Sequence, residues 1–262
     1  MTPDIAKSSD PARAPTPDWL PPALLDTREI LLLAFPGGGC APAVYERVRC
    51  PGVRMQVVDW GRQSGPWQLD AIAARIASAI APRRGITLLA GHSIGGVIAT
   101  LVALRSPDRI HGLLLANTGA STRGLGDPDL PHRIATAWTP DAAEAFLRSC
   151  FWRQPAEPLW SELTRYLAGI DLALFGEVTA SLRATDLRAR LSEIRCPVVI
   201  AFGRHDRRRT LEHAFDLADG ISDSTLMLLP AGHTPMVEAP DHYNDALALL
   251  TGKVSRRHRD VT

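Results

Sequence analysis

The stretch Ile86-Thr87-Leu88-Leu89-Ala90-Gly91-His92-Ser93-Ile94-Gly95-Gly96-Val97-Ile98 decides the fold. It opens as a short apolar run without polar alternation, the pattern of a strand buried on both faces. It ends in a helix, because Ile94, Val97, Ile98, Leu101 and Val102 recur at helical spacing. Between the two, Gly91-His92-Ser93-Ile94-Gly95 fills a Gly-x-Ser-x-Gly pattern. That pattern predicts a sharp strand-to-helix turn that lifts the serine hydroxyl into view. The outer glycines are needed because neighbouring backbone packs too closely for side chains. The first helical turn aims its free N–H groups at the serine oxygen. By chance such a match arises in roughly 0.1 chains of this size, and the flanking strand and helix narrow it further. A serine that caps a helix between two turn glycines is the plain alternative.

Outward from this turn the rhythm repeats. Apolar runs occur at Glu29 to Phe35, Met55 to Trp60, Ile110 to Ala116, Cys196 to Phe202 and Ser224 to Leu229. Helical spacing appears over Leu69 to Ile80, Thr210 to Ala218 and Ala239 to Leu250. Strands alternating with helices imply an α/β fold, a mostly parallel, doubly wound sheet with helices on both sides. Residues 119–190 break the rhythm with helical stretches and no clear strand, and read as a helical insertion. Residues 1–27 are proline-rich and read as a flexible arm that Trp19 and Leu20 dock onto the body. The two parts of the α/β core are then 28–118 and 191–252. Residues 253–262, with Arg256-Arg257-His258-Arg259, read as a solvated basic tail.

Composition excludes several classes. Lys plus Arg number 29 and Asp plus Glu 28 in 262 residues, so no long-range field recruits nucleic acid or an anionic membrane. No apolar run approaches the roughly 18–20 residues of a membrane span. The first residues carry an early acid and no apolar core, so no secretory signal is expected and the chain reads as cytoplasmic. Cys40, Cys50, Cys150 and Cys196 have no metal or disulfide spacing and read as reduced thiols. No cofactor or metal motif is present, and oligomeric state is not written in the sequence.

A serine is a weak nucleophile without a base and a group to orient that base. The elbow motif requires the order serine, acid, histidine. Gly203-Arg204-His205-Asp206 follows the fifth apolar run and Gly232-His233 follows the sixth. Both lie at strand ends, where open α/β sheets hold ligands. Ser93, Asp206 and His233 are therefore the candidate catalytic residues. His205 precedes the acid and is a poor candidate for the base. Asn117, after the fourth run, marks the other place where an acid could sit, but it is an amide. An oxyanion hole needs backbone N–H groups. Ile94, which follows the serine, supplies one. Gly38 in Pro36-Gly37-Gly38-Gly39-Cys40 supplies the other, with Gly37 and Gly39 as alternatives.

In these pieces the chain resembles the α/β-hydrolase superfamily over roughly residues 28–250. The resemblance implies an eight-stranded, mostly parallel sheet, with early strands falling near residues 20–28 or missing. It also implies a helical lid, here 119–190, and Ser-Asp-His chemistry. Many members carry His-Gly at the start of the oxyanion loop, where this chain has Pro36, and that histidine usually braces the loop. The Phe35-Pro36 start resembles type II thioesterases, and the rest looks more like small-molecule esterases and carbon–carbon hydrolases.

The insertion holds Trp138, Phe146, Phe151, Trp152, Trp160, Tyr166 and Phe175. Some of these form its own core. Others, with Trp138, Phe151 and Trp152 the candidates beside Gly37, line a pocket for an apolar acyl or ring compound. Arg148 and Arg153 could hold an anionic substrate group, although solvated charges are the commoner case. The expected function is hydrolysis of a carboxylic ester, thioester or lactone through an acyl-enzyme. The same fold could instead perform carbon–carbon cleavage, elimination or cyclisation, or serve as a binding scaffold without catalysis.

Overall fold

A computed structural model describes residues 18–26, 29–122 and 128–259. Its six strands are β1 Ile30–Phe35, β2 Val53–Val57, β3 Thr87–His92, β4 Gly112–Ala116, β5 Val198–Gly203 and β6 Ser224–Leu229. They form one sheet in the order β2-β1-β3-β4-β5-β6, and every pair is parallel. The chain therefore runs to one edge with β2, returns to β3 and then builds toward the other edge. This reversal places a crevice at the C-terminal ends of β1 and β3, where ligands bind in open α/β sheets. Register aligns Phe35 with Gly91 and His92 with Ala116, so the glycine loop, the elbow and the β4 end lie side by side.

Ten helices accompany the sheet among the described residues: α1 Pro22–Asp26, α2 Leu69–Ile80, α3 Ile94–Arg105, α4 Leu130–Ala137, α5 Pro140–Ser149, α6 Leu159–Ala168, α7 Leu172–Ala184, α8 Leu211–Gly220, α9 Pro235–Glu238 and α10 Pro240–Arg259. Alternate strand residues feed opposite layers. Leu31, Leu33, Leu89, Leu113 and Ile200 pack with Ile72, Ile98, Val102 and Leu217. Leu32, Ala34, Leu88, Leu114 and Val199 pack with Tyr243, Leu247 and Leu250. Burial on both faces is why these strands read as unbroken apolar runs. Helices α4 to α7 all fall between β4 and β5.

Four expectations change. Residues 18–26 are not a loose arm: Leu20, Leu24 and Leu25 are buried in the core, each side chain contributing about 1.5–3 kcal/mol. Residues 22–26 form a short helix rather than an early strand, and six strands, not eight, are present among the described residues. The basic C-terminal segment is not a free tail, since α10 continues through Arg259. Cations in a last helical turn face the negative end of the helix dipole. Lys253 pairs with Asp223 at 2.7 Å, and Arg257 donates to the Arg195 carbonyl at 2.6 Å. Lastly, β2 starts and ends earlier than its apolar run, because the chain turns at Trp60–Arg62 into one turn of 3₁₀ helix.

Candidate active site

Ser93 stands between β3 and α3 with φ 52° and ψ −119°. A non-glycine residue in this region stores roughly 1–3 kcal/mol of strain and must be held there by its surroundings. Its N–H donates to the Ala116 carbonyl at 3.0 Å. Its own carbonyl accepts from Thr118 Oγ1 at 2.6 Å and from the Gly96 N–H at 2.9 Å. The flanking glycines are steric necessities. A Cβ on Gly91 would lie 2.5 Å from Gly96 Cα, and one on Gly95 would strike the Phe35 and Pro36 carbonyl oxygens. The glycine loop thus rests on the elbow. A Cβ built on Gly38 would meet Ile94 Cδ1 at 2.7 Å, and one on Gly37 would meet His92 Nδ1 at 2.8 Å. The loop is braced by the Trp60 indole, which donates to the Pro36 carbonyl at 2.9 Å. That contact supports the loop at its first residue, Pro36.

The loop after β5 carries Asp206 and the loop after β6 carries His233. Asp206 Oδ2 lies 2.8 Å from His233 Nδ1, with both side chains buried. Asp206 Oδ1 accepts the backbone N–H groups of Arg208 at 2.7 Å and Arg209 at 3.1 Å. Asn117 Nδ2 donates to Asp206 Oδ2 at 2.6 Å and to the Gly232 carbonyl at 3.2 Å, while its Oδ1 accepts from the Gly203 N–H at 3.1 Å. Asn117 itself has φ 45°, a left-handed conformation that asparagine tolerates. One amide therefore joins the ends of β4, β5 and the His233 loop. Burial alone would raise the Asp206 pKa. The neighbouring His233, its hydrogen bond, the Asn117 amide and the Arg208 N–H outweigh that and hold it at about 2. Burial pushes the His233 pKa below its ordinary 6.5, opposed by Asp206 and assisted by Arg208 and Arg209. At neutral pH the pair is a carboxylate beside a neutral imidazole.

His92 lies behind this pair, its ring centroid 5.0 Å from that of His233. Its Nε2 contacts the His233 carbonyl at 2.8 Å. A carbonyl only accepts, so Nε2 carries the proton and Nδ1 is a buried acceptor without a partner among the described residues. Burial first, then His233, lowers its pKa to about 3. His92 is a neutral prop for the His233 loop.

Ser93, His233, Ile94, Gly37, Gly38, Cys40 and Trp138 all line one cavity of about 600 Å³. Trp138, Phe146 and Phe175 meet edge to face at 5.5–5.7 Å and form its aromatic wall. Phe151 and Trp152 do not line it. Phe151 packs against Trp160, and Trp152 stacks on His205 at 3.8 Å with the Arg153 guanidinium 4.3 Å from the Trp152 ring. The Trp152 backbone is held away from the cavity by Glu238, whose carboxylate accepts from the N–H groups of Trp152, Arg153 and Gly232 at 2.8–2.9 Å. Arg148 is occupied by Glu144 and Gln154. Cys40 is a fully buried thiol with its pKa pushed far up by burial, and all four cysteines are free.

Sequence reasoning left Asn117, Glu238 and Trp60 without a role. Asn117 had a signal, its place at the end of an apolar run. Glu238 and Trp60 had none, because their partners lie 6 to 86 and 24 residues away.

A strained serine at a strand-to-helix turn, under a parallel sheet with a histidine and a carboxylate at neighbouring strand ends, defines an architecture shared by a large class of enzymes. The model of the Alpha/beta hydrolase family matches residues 17–246, and the chain belongs to that family. The chain is 26% identical, over 82% of its length and 91% of the relative's, to a pimeloyl-[acyl-carrier protein] methyl ester esterase of Pectobacterium carotovorum subsp. carotovorum. It is 26% identical, over 70% of each chain, to 3-oxoadipate enol-lactonase 2 of Acinetobacter baylyi. Among solved structures, a bromoperoxidase from Bacillus anthracis superposes with a TM-score of 0.78 at 18% identity, covering 86% of this chain and 92% of that one, a likeness of fold.

Proposed function

We propose that this hydrolase cleaves a carboxylic ester, thioester or lactone of a small molecule through an acyl-enzyme on Ser93. The carrying observation is the 2.8 Å contact of Asp206 with His233 Nδ1 at the cavity that the strained Ser93 also lines. With Nδ1–H donated to the carboxylate, His233 Nε2 is a free base. It takes the Ser93 proton as Oγ attacks the carbonyl, then returns it to the leaving group. Asp206 keeps that tautomer and stabilises the imidazolium. The Ile94 and Gly38 N–H groups receive the oxyanion, each donor being worth a few kcal/mol in such sites. Water, activated by His233, then releases the acid. The four helices between β4 and β5 act as a lid whose aromatic wall holds the apolar part of the acyl group. The ester and lactone chemistry named for the two curated relatives supports this reading.

Its test is hydrolysis of short-chain esters, thioesters and lactones in ¹⁸O-water by wild type and Ser93→Ala. Wild type should place one labelled oxygen in the acid product. Ser93→Ala should lose several orders of magnitude in kcat. Turnover without label would move the reaction to elimination or rearrangement, and full activity in Ser93→Ala would remove the nucleophile.

A further inference from the structure

Among the described residues the cavity is lined by five arginines, Arg133, Arg183, Arg207, Arg208 and Arg209, and by no aspartate or glutamate. In a chain whose charges balance at 29 to 28, this concentration of arginine is a local feature. Arg209 is its most telling member. The residue is 7% exposed, and its guanidinium has no hydrogen-bond or ion-pair partner among the described residues. Buried guanidinium groups are ordinarily paired, because desolvating an unpaired charge is costly. Burial lowers its pKa to about 10, with Asp206 opposing, so it is still a cation at neutral pH. Asp206 is no ready partner. Its oxygens are taken by His233, Asn117 and two backbone N–H groups, and it forms no ion pair with Arg208 or Arg209. Arg208 is held beside the cavity by donating to Ser149 Oγ at 2.8 Å and lying 4.4 Å from the Phe146 ring centre. Two arginines are thus fixed next to the reacting centre, on the loop that carries the acid, and one of them lacks an anion.

We propose that Arg209, with Arg208 beside it, is an anion-recognition subsite, and that the acyl group delivered to Ser93 carries a carboxylate or phosphate at its far end. The inference rests on the Ser93 hydrolase reading and deepens it. The methylenes of such an acyl group lie along the aromatic wall, while its terminal oxyanion takes the planar donor fork of Arg209. The Arg209 side chain is largely buried yet borders the cavity, and bound substrate supplies the missing charge.

Two half-matched esters test this directly, mono-4-nitrophenyl hexanedioate and 4-nitrophenyl hexanoate, which differ only in the terminal group. Wild type should prefer the hexanedioate by at least about tenfold in kcat/KM, since a charge-assisted hydrogen bond is worth about 1.5–3 kcal/mol. Arg209→Gln should collapse that ratio toward one, mainly through KM, and Arg209→Lys should restore part of it. Equal cleavage of the two esters by wild type overturns the subsite and leaves the Ser93 reading standing. Absence of turnover on both, with no covalent label on Ser93, removes the hydrolase reading itself. Binding to wild type decides the subsite without turnover and without the variant. Hexanedioate or 6-phosphonohexanoate should raise Tm above hexanoate, and the larger shift identifies carboxylate or phosphate. No gain from either terminal anion overturns the proposal.

Discussion

Asn117 does what a second acid at its position could not. Its amide donates to Asp206 and to the Gly232 carbonyl while accepting from Gly203, so it neutralises nothing and orients everything. Replacing it with leucine leaves a carboxylate, a carbonyl and an N–H short of partners. The charged hydrogen bond alone is worth about 1.5–3 kcal/mol, so Asn117→Leu should lower kcat/KM roughly tenfold to a hundredfold. A value within threefold of wild type would show that Asp206 is held by other contacts. The pH profile follows from His233. Its folded pKa is lowered, and only the neutral ring accepts a proton, so kcat/KM should rise with pH through a midpoint below 6.5.

His92 adds a stability effect of definite sign. It stays neutral in the fold down to about pH 3, whereas the unfolded ring protonates near 6.5. Between those values the unfolded state binds the extra proton, so stability falls as pH falls, by up to about 1.4 kcal/mol per pH unit. Asp206 contributes in a lower window. Its folded pKa is depressed to about 2 from 3.8, so its stabilisation is whole above 3.8 and is lost as pH falls through about 2. Urea midpoints between pH 4 and 6.5 should therefore be flatter for His92→Gln than for wild type. An unchanged slope would assign the acid sensitivity elsewhere.

Between elements, one carboxylate couples the insertion to the loop that carries His233. Glu238 on α9 accepts three backbone N–H groups, two from the α5–α6 connection and one from Gly232. Thr234 Oγ1 adds a bond to the Cys150 carbonyl at 2.9 Å. Glu238→Ala leaves the three donors unpartnered at about 1–3 kcal/mol each for those that stay buried. Both a lower Tm and a lower kcat are expected. A lower Tm with kcat intact would confine Glu238 to a structural part.

These contacts also show what the sequence could and could not disclose. Strands β1, β3, β4 and β5, and the Ser93 turn, announce themselves because burial on both faces and the Gly-x-Ser-x-Gly spacing are local patterns. Asp206 and His233 follow from their places after apolar runs. Phe151 and Trp152 misled because aromatic content marks an insertion's core and its cavity alike. Only the fold turns Trp152 onto His205 and leaves Trp138, Phe146 and Phe175 as the wall. The C-terminal arginines are exposed, as their charge implies, but they continue α10 as its last turn rather than forming a separate tail.

In the molecule as a whole, the segment before β1 belongs to the core. Arg83, 2% exposed, donates to the carbonyls of Leu24, Glu29 and Ile86 and to Thr87 Oγ1, tying this segment to the start of β3. Deleting residues 1–26 removes three buried leucines and one of those four acceptors of the guanidinium. The loss should be roughly 5 kcal/mol or more, by the usual burial of leucine side chains. Urea denaturation of the truncated and full chains measures it, and equal midpoints would contradict the packing of Leu20, Leu24 and Leu25.

The most direct measurement is intact-mass detection of a fluorophosphonate adduct on wild type and Ser93→Ala. A single adduct on folded wild type, absent in Ser93→Ala, is the predicted result. Folded wild type that takes up no label, or a variant that labels equally, would contradict an activated Ser93.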